Sequence, residues 1–91
     1  MTTLRRKVIV NPASGNGRTG KTWRNTEAFL RKTLGDIDVS FTRAVKDGTI
    51  LAAQALRDGG YDHIIAVGGD GTLSEVMNGF FVNDRPINPQ A

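Results

Sequence analysis

Two glycine-rich runs are the places where this backbone can grip an anion: Asn11-Pro12-Ala13-Ser14-Gly15-Asn16-Gly17 and Gly68-Gly69-Asp70-Gly71-Thr72. Glycine lets the main chain approach a phosphate closely, and a helix starting behind such a loop aims unpaired N–H groups and its positive dipole end at the same point. Asp70 is the one acidic residue in either run. Beside phosphates a carboxylate has two uses: it holds Mg2+, directly or through water, or it accepts a proton from a substrate hydroxyl. With no ligand, its role would be to cap helix turns or bond loop amides. Phosphoryl transfer, which depends on positioning and charge neutralisation, is the chemistry these parts suit.

The stretch Gly15 to Thr22, GNGRTGKT, also spells the G-x-x-x-x-G-K-[ST] pattern of a P-loop. Its context is wrong. A P-loop glycine follows its strand directly, whereas Asn11 to Ser14 intervene here, and the magnesium-organising aspartate should close a second strand, whereas Asp70 stands two glycines beyond one. Arg18 and Lys21 are therefore accessory cations near phosphate or plain solvated charges at a helix start.

The elements that must carry these loops follow from period and punctuation. Lys7-Val8-Ile9-Val10 is a β-branched run ended by Asn-Pro and predicts a buried strand; His63-Ile64-Ile65-Ala66-Val67 predicts another, apolar on both faces. Between them, Trp23, Leu30 and Leu34 mark a helix from about Thr19 to Thr33, stopped at Gly35. Ile37, Val39 and Phe41 alternate with Asp38, Ser40 and Thr42 as in a half-exposed strand. Asp47 is the expected N-cap of a helix running through Arg57 to the stop at Asp58-Gly59-Gly60. Thr72-Leu73-Ser74-Glu75 has the form of a capping box, with Leu73, Val76, Met77 and Phe80 on one helical face behind it. Residues 83–91, with Pro86 and Pro89, read as a loop or a truncated end. The order β-α-β-α-β-α implies a three-layer α/β domain with a parallel sheet covered on both sides, and both glycine runs leave from the carboxyl rim where such sheets bind ligands.

Ninety-one residues allow one small domain. Three strands leave an edge and part of a helix face uncovered, so either more chain or self-association is expected. With no cysteine, disulfides, thiolate nucleophiles and cysteine-based zinc sites are excluded, and His63, at a strand start, is expected to be structural. No apolar run approaches the ~20 residues that span a bilayer, and a cytoplasmic chain is expected. The net charge of +3 is uneven: residues 1–34 carry Arg5, Arg6, Lys7, Arg18, Lys21, Arg24, Arg31 and Lys32 against Glu27 alone. That basic third is either a solvated helix face or a patch for phosphates or a peripheral anionic membrane contact. Nucleic acid fits poorly, because aromatic residues do not interleave with the basic ones.

Gly68-Gly69-Asp70-Gly71-Thr72 followed by Leu73-Ser74-Glu75-Val76-Met77-Asn78-Gly79 resembles the GGDGT-x-N-E-x-x-N-G signature of the diacylglycerol kinase catalytic family, which includes bacterial lipid kinases, sphingosine kinases and ceramide kinase. Asn11 to Gly17 resembles the N-P-x-S-G-x-G loop that opens the same family, and Thr42 falls where the family has a nucleotide-contacting threonine. The resemblance implies the incomplete N-terminal nucleotide-binding lobe of a two-lobed, NAD kinase/diacylglycerol kinase-like fold, with ATP and Mg2+ as cofactors. It implies that Asn11, Ser14, Gly15, Asn16 and Gly17 cradle ATP phosphates, and that Gly68, Gly69, Gly71, Thr72, Ser74 and Glu75 border the nucleotide with Thr42. Asp70 is implied as the catalytic and metal-holding carboxylate. The reaction implied is transfer of the γ-phosphoryl of MgATP to a lipid hydroxyl, of diacylglycerol, a sphingoid base or a related lipid, completed by a C-terminal lobe whose G-T-x-N-D motif is not found here. These 91 residues alone are then expected to be inactive. Ser74 departs from the usual asparagine. Rivals are an NAD kinase-like lobe, which shares GGDGT but not the N-P-x-S-G loop or the E-V-x-N-G run, and a non-catalytic nucleotide-binding module.

Overall fold

The computed structural model describes residues 5–57, 59–82 and 85–86. Its centre is β1, Arg6–Val10, which pairs in parallel with β2, Asp38–Phe41, on one side and with β3, His63–Val67, on the other. The sheet order is β2-β1-β3, with Val10 level with Phe41 and Val67. Because β1 is flanked on both edges and covered on both faces, its three β-branched residues Val8, Ile9 and Val10 are wholly inaccessible to solvent. That is the environment in which an uninterrupted apolar run is favoured over an alternating one.

The three helices divide between the two faces. α1, Arg18–Leu34, lies on one, where Trp23 is buried with Val8, Val10 and Ile37 and joined by Leu30, Leu34, Val39, Ile65 and Val67. Trp23 packs helix against sheet and meets the Phe41 ring edge-on at 6.0 Å. Gly35 ends α1 as expected, donating its N–H to the Arg31 carbonyl, with φ +83° and ψ -138°, a positive-φ conformation open to glycine but not the left-handed helical one. α2, Asp47–Arg57, and α3, Asp70–Asn78, share the opposite face, where Ala52 and Val76 pack on Ile9 with Leu51, Ile64, Ala66 and Phe80 around them. The predicted three-layer α/β order is therefore present.

α2 and α3 approach closely enough to require glycine. A Cβ at Gly79 would lie 2.7 Å from Ala52 Cβ, and one at Gly48 would lie 3.1 Å from Glu75 Cβ. The α3 face toward α2 is thus Glu75, Val76 and Gly79. At 100° per residue, Leu73 and Met77 lie roughly opposite Glu75 and Gly79, and they are 51% and 55% exposed. The single apolar face expected over Leu73, Val76, Met77 and Phe80 is thereby split into a buried half and an open half.

Two further expectations are corrected. Asp47 does not cap α2 forwards; its carboxylate turns back and accepts the N–H groups of Arg43 and Ala44. The run expected as loop contains β5, Arg85–Pro86, which pairs antiparallel with β4, Phe81–Val82; the rest of 83–91 lies outside the described residues. No helix among the described residues is long and apolar enough to cross a membrane.

Candidate functional site

β1 and β3 are neighbours, but the helices that follow them go to opposite faces, so the loops leaving their carboxyl ends diverge around a crevice. Open α/β sheets bind ligands at such a switch point. Asn11 ties its two sides together. Its main-chain N–H donates to the Val67 carbonyl at 2.9 Å, and its side-chain Nδ2 donates to Thr72 Oγ1 at 3.1 Å. Thr42 joins from the end of β2 by donating its N–H to the Val10 carbonyl at 2.7 Å, and it is buried. The ends of β1 and β2, with Glu75 of α3, thus border a cleft of about 240 Å3 lined by Asn11, Ala13, Thr42, Arg43, Ala44, Val45 and Glu75. A larger hollow of about 460 Å3 lies along β2 and α2, against Val39, Phe41, Ile50 and Leu51, and contains none of the expected site residues. The smaller cleft is the candidate site, because polar groups of separate loops converge there.

The first loop is built on three successive left-handed residues, Gly15, Asn16 and Gly17, with φ of +63°, +58° and +88°. Asparagine is among the few side chains that tolerate this region. The turn feeds its own carbonyls to the start of α1: Gly17, Arg18, Thr19 and Gly20 donate to Ala13, Gly15, Ser14 and Pro12. Glycine at position 20 eases this approach, since a Cβ there would lie a tight 3.0 Å from the Pro12 carbonyl oxygen. Ser14 Oγ donates to the Asn11 carbonyl at 2.9 Å and lies 2.5 Å from Thr19 Oγ1, so the hydroxyl braces the loop. Gly15 and Asn16 keep main-chain N–H groups with no acceptor among the described residues, and both are exposed. These two amides, rather than the Ser14 hydroxyl, are what the loop presents to an anion. Arg18 and Lys21 are exposed at the start of α1.

The second loop is open where the first is closed. Gly68, Gly69, Asp70 and Gly71 are all exposed, and Gly69 opens α3 from an extended conformation without a side-chain cap. The first N–H groups of α3 are accordingly left for a ligand or water. A Cβ at Gly68 would come within 2.9 Å of Thr72 Cβ, so this glycine is required by packing, whereas Cβ atoms at Gly69 and Gly71 would meet nothing within 4 Å. Packing therefore does not require glycine at 69 and 71. Asp70 stands in the first turn of α3, where a negative charge is favourable, and its carboxylate has no hydrogen-bond or ion-pair partner among the described residues.

The capping box does not form. Thr72 is the third residue of α3 rather than the residue before it, and its hydroxyl is taken by Asn11. Glu75 reaches across to α2, where Oε1 accepts the Gly48 N–H at 3.3 Å and its carbonyl accepts the Thr49 hydroxyl at 2.6 Å. Two tertiary partners outcompete the local ones. Of the expected residues, Asn11, Thr42 and Glu75 are brought together on the cleft, Thr72 supports it through Asn11, and Ser74 is exposed on α3 and lines no part of it. Arg43, Ala44 and Val45 line the cleft without having been singled out from sequence; the signal available was their position between Thr42 and the start of α2. His63 begins β3 at the opposite end of the sheet from both loops.

No group of three or more metal-ligating side chains occurs among the described residues. Mg2+ in phosphoryl-transfer sites commonly takes only one or two carboxylates, with phosphates and water filling the other positions. Asp70, alone on the open loop, fits that partial role.

The sequence matches the family model of the diacylglycerol kinase catalytic domain over residues 5–89. The chain belongs to the diacylglycerol kinase catalytic domain family. It is 38% identical over 85 residues to a diacylglycerol kinase of Staphylococcus saprophyticus, covering 93% of this chain and 27% of that protein. To a diacylglycerol kinase of Staphylococcus aureus it is 34% identical over 86 residues, covering 94% of this chain and 26% of that protein. A crystal structure of a diacylglycerol kinase from Bacillus anthracis superposes with a TM-score of 0.73 at 28% identity, over 94% of this chain and 31% of that one. The chain therefore spans about a quarter to a third of the length of these relatives, consistent with an N-terminal lobe of the family fold. Within the family match lie both glycine loops and the cleft that Asn11, Thr42 and Glu75 line.

Proposed function

We propose that these residues form the nucleotide-binding part of an ATP-dependent lipid kinase that moves the γ-phosphoryl of MgATP to a lipid hydroxyl. The observation that carries this is the Asn11 bridge, which joins a loop with free Gly15 and Asn16 amides to a loop that starts an uncapped helix. In this proposal the triphosphate lies between the two loops, where main-chain N–H groups and the α3 dipole hold its charge. The rest of the nucleotide extends toward Thr42 and Glu75 in the 240 Å3 cleft. Asp70 holds Mg2+, directly or through water, and the metal neutralises charge on the phosphates as the γ-phosphoryl is transferred. The chain's own residues bind, align and keep the phosphates fixed; the acceptor hydroxyl comes from a lipid.

The outer side of α1 supports a second part of the proposal, peripheral contact with an anionic membrane. Arg18, Lys21, Arg24, Arg31 and Lys32 are exposed on that helix, Glu27 is paired to Arg31 at 3.1 Å, and the Phe29 ring is 66% exposed among them. Cations with an exposed aromatic ring suit a headgroup layer. A kinase acting on membrane lipid would be held where its substrate is.

The direct test is transfer of labelled γ-phosphate from MgATP by the complete protein to diacylglycerol, sphingosine and NAD, each offered separately, the lipids in mixed micelles. Labelled lipid phosphate supports the proposal. Labelling of NAD alone replaces it with a dinucleotide kinase, and MgATP binding with no transfer to any acceptor leaves a nucleotide-binding module.

A further inference from the structure

The segment between β2 and α2 forms a wall of the cleft, and one side chain outside the cleft holds its shape. Arg43, Ala44 and Val45 line the cleft, while Asp47 does not. Asp47 Oδ2 accepts the Arg43 N–H at 2.8 Å and the Ala44 N–H at 3.2 Å, and the Asp47 N–H returns to the Ala44 carbonyl at 3.2 Å. This closed set of bonds accommodates Lys46 at φ +74°, a left-handed position that lysine adopts at a cost. Next to it, Glu75 accepts the Gly48 N–H, so the same turn is joined to α3 and the second glycine loop. Val45 stays 82% exposed and is thus available to a ligand entering the cleft.

We infer that Asp47 is a positioning residue for nucleotide recognition: by accepting the Arg43 and Ala44 amides it sets the 43–45 wall that the non-phosphate part of the nucleotide packs against. The inference rests on the proposed MgATP site. A carboxylate accepting two main-chain N–H groups is a strong, directional restraint, and a wall set beforehand lowers the ordering cost of binding. Asp47 does this without touching the nucleotide. Among the described residues Asp47 itself makes no bond to either phosphate loop, so its influence falls on nucleotide affinity rather than on the transfer step.

The test uses Asp47→Ala, Asp47→Asn and the double variant Lys46→Gly/Asp47→Ala in the complete protein. Two readouts are taken: amide hydrogen exchange at Arg43 and Ala44 without ligand, and KM and kcat for MgATP. In Asp47→Ala the Arg43 and Ala44 amides lose protection, KM rises about tenfold and kcat stays within about twofold, the size expected for losing a pair of such bonds. Asp47→Asn, whose side-chain oxygen can still accept both N–H groups, keeps protection and most of the affinity, and it carries the test should the alanine variant not fold. The double variant stays impaired. Lost protection with unchanged KM in Asp47→Ala overturns the inference while leaving the MgATP site standing, as does recovery of KM in the double variant, which would reduce Asp47 to relief of Lys46 strain. A wild-type protein with no MgATP binding instead fails the proposed function, with amide protection at Arg43 and Ala44 still reporting the turn.

Discussion

Asn11 and Thr72 stand 61 positions apart in the chain, and the side chain of one donates to the hydroxyl of the other at 3.1 Å. Each belongs to a different glycine loop, so this contact, with the Asn11 N–H bond to the Val67 carbonyl, ties the two halves of the site together. Asn11 also accepts the Ala13 N–H with Oδ1, which shapes its own loop. Asn11→Ala removes both side-chain bonds and leaves the Thr72 hydroxyl without that partner. Loss of about 1–3 kcal/mol of stability is expected for a part-buried group of this kind. MgATP affinity should fall with it, by about tenfold or more. Chemical denaturation and calorimetry check the two halves, and an affinity that stays intact in a destabilised variant would remove the bridge from the site.

Glycines of the second loop should separate into two classes. Gly69→Ala and Gly71→Ala place a methyl in open space, so stability should be unchanged, or raised at 71 by up to about 1 kcal/mol as a helical glycine becomes alanine. Nucleotide binding should nonetheless drop, because the methyl occupies the approach to the α3 amides. Gly68→Ala and Gly79→Ala instead meet Thr72 and the α2 backbone, and should destabilise by about 1–3 kcal/mol. Thermal melts beside MgATP titrations distinguish the classes.

Asp70→Asn tests the metal role. The carboxylate is exposed and unpartnered among the described residues, so the melting temperature should move little, with at most about 0.3–1 kcal/mol from the lost helix-end charge. In the complete protein kcat should fall by about a hundredfold or more, as for removal of a group acting on transition-state charge. A partial recovery with Mn2+ in place of Mg2+ would support metal ligation, and full activity in Asp70→Asn would end that assignment.

Alkaline stability should report a cluster at the far end of the sheet. Tyr61 is buried and donates to the Asp38 carboxylate, with the Arg5 guanidinium 4.5 Å from the centre of its ring. The hydrogen bond to Asp38 foremost, then burial and the Asp38 charge, push the hydroxyl above its ordinary value of 10.0. A folded-state value above the unfolded one means that the unfolded chain releases this proton first. The contribution is therefore complete below pH 10.0 and is lost as pH rises from there through the raised folded value. Tyr61→Phe should lower the melting temperature at pH 7 and flatten the decline above pH 10, seen as a shrinking difference between variant and wild type; a constant difference would contradict it.

The basic side of α1 should govern attachment to vesicles. Reversing Lys21, Arg24 and Lys32 to glutamate, all exposed and outside the cleft, should weaken binding to anionic vesicles while leaving MgATP binding unchanged. The wild-type interaction should weaken as salt rises toward about 1 M, where the screening length shortens to roughly 3 Å. Co-sedimentation at two salt concentrations measures both effects, and equal binding to neutral vesicles would refute an electrostatic contact.

Much of this protein follows from local physical chemistry and is therefore legible in its sequence. Val8 to Val10 and Ile64 to Val67 read as strands because they are short apolar runs rich in β-branched residues, although only the first is buried and the second, at the sheet edge, stays half-buried; Gly35 stops α1 because a positive φ is easiest for glycine. The two glycine loops and their place after β1 and β3 depend on neighbours in the chain alone. What the tertiary structure decided is where the polar side chains turn. Thr72 and Glu75 have the spacing of a capping box, yet they bond to Asn11 and to the start of α2, because the close approach of α3 to α2 at Gly48 and Gly79 offers partners that local sequence does not contain. Ser14 is a donor by type, but the left-handed turn at Gly15 to Gly17 folds its hydroxyl onto Asn11 and Thr19. Asp47 looked like a helix cap and became the pin of a cleft wall, since the chain entering from β2 presented two amides before α2 could use it. A hydrogen bond between distant segments is specified by the packing that brings them together, and that packing is a property of the whole fold.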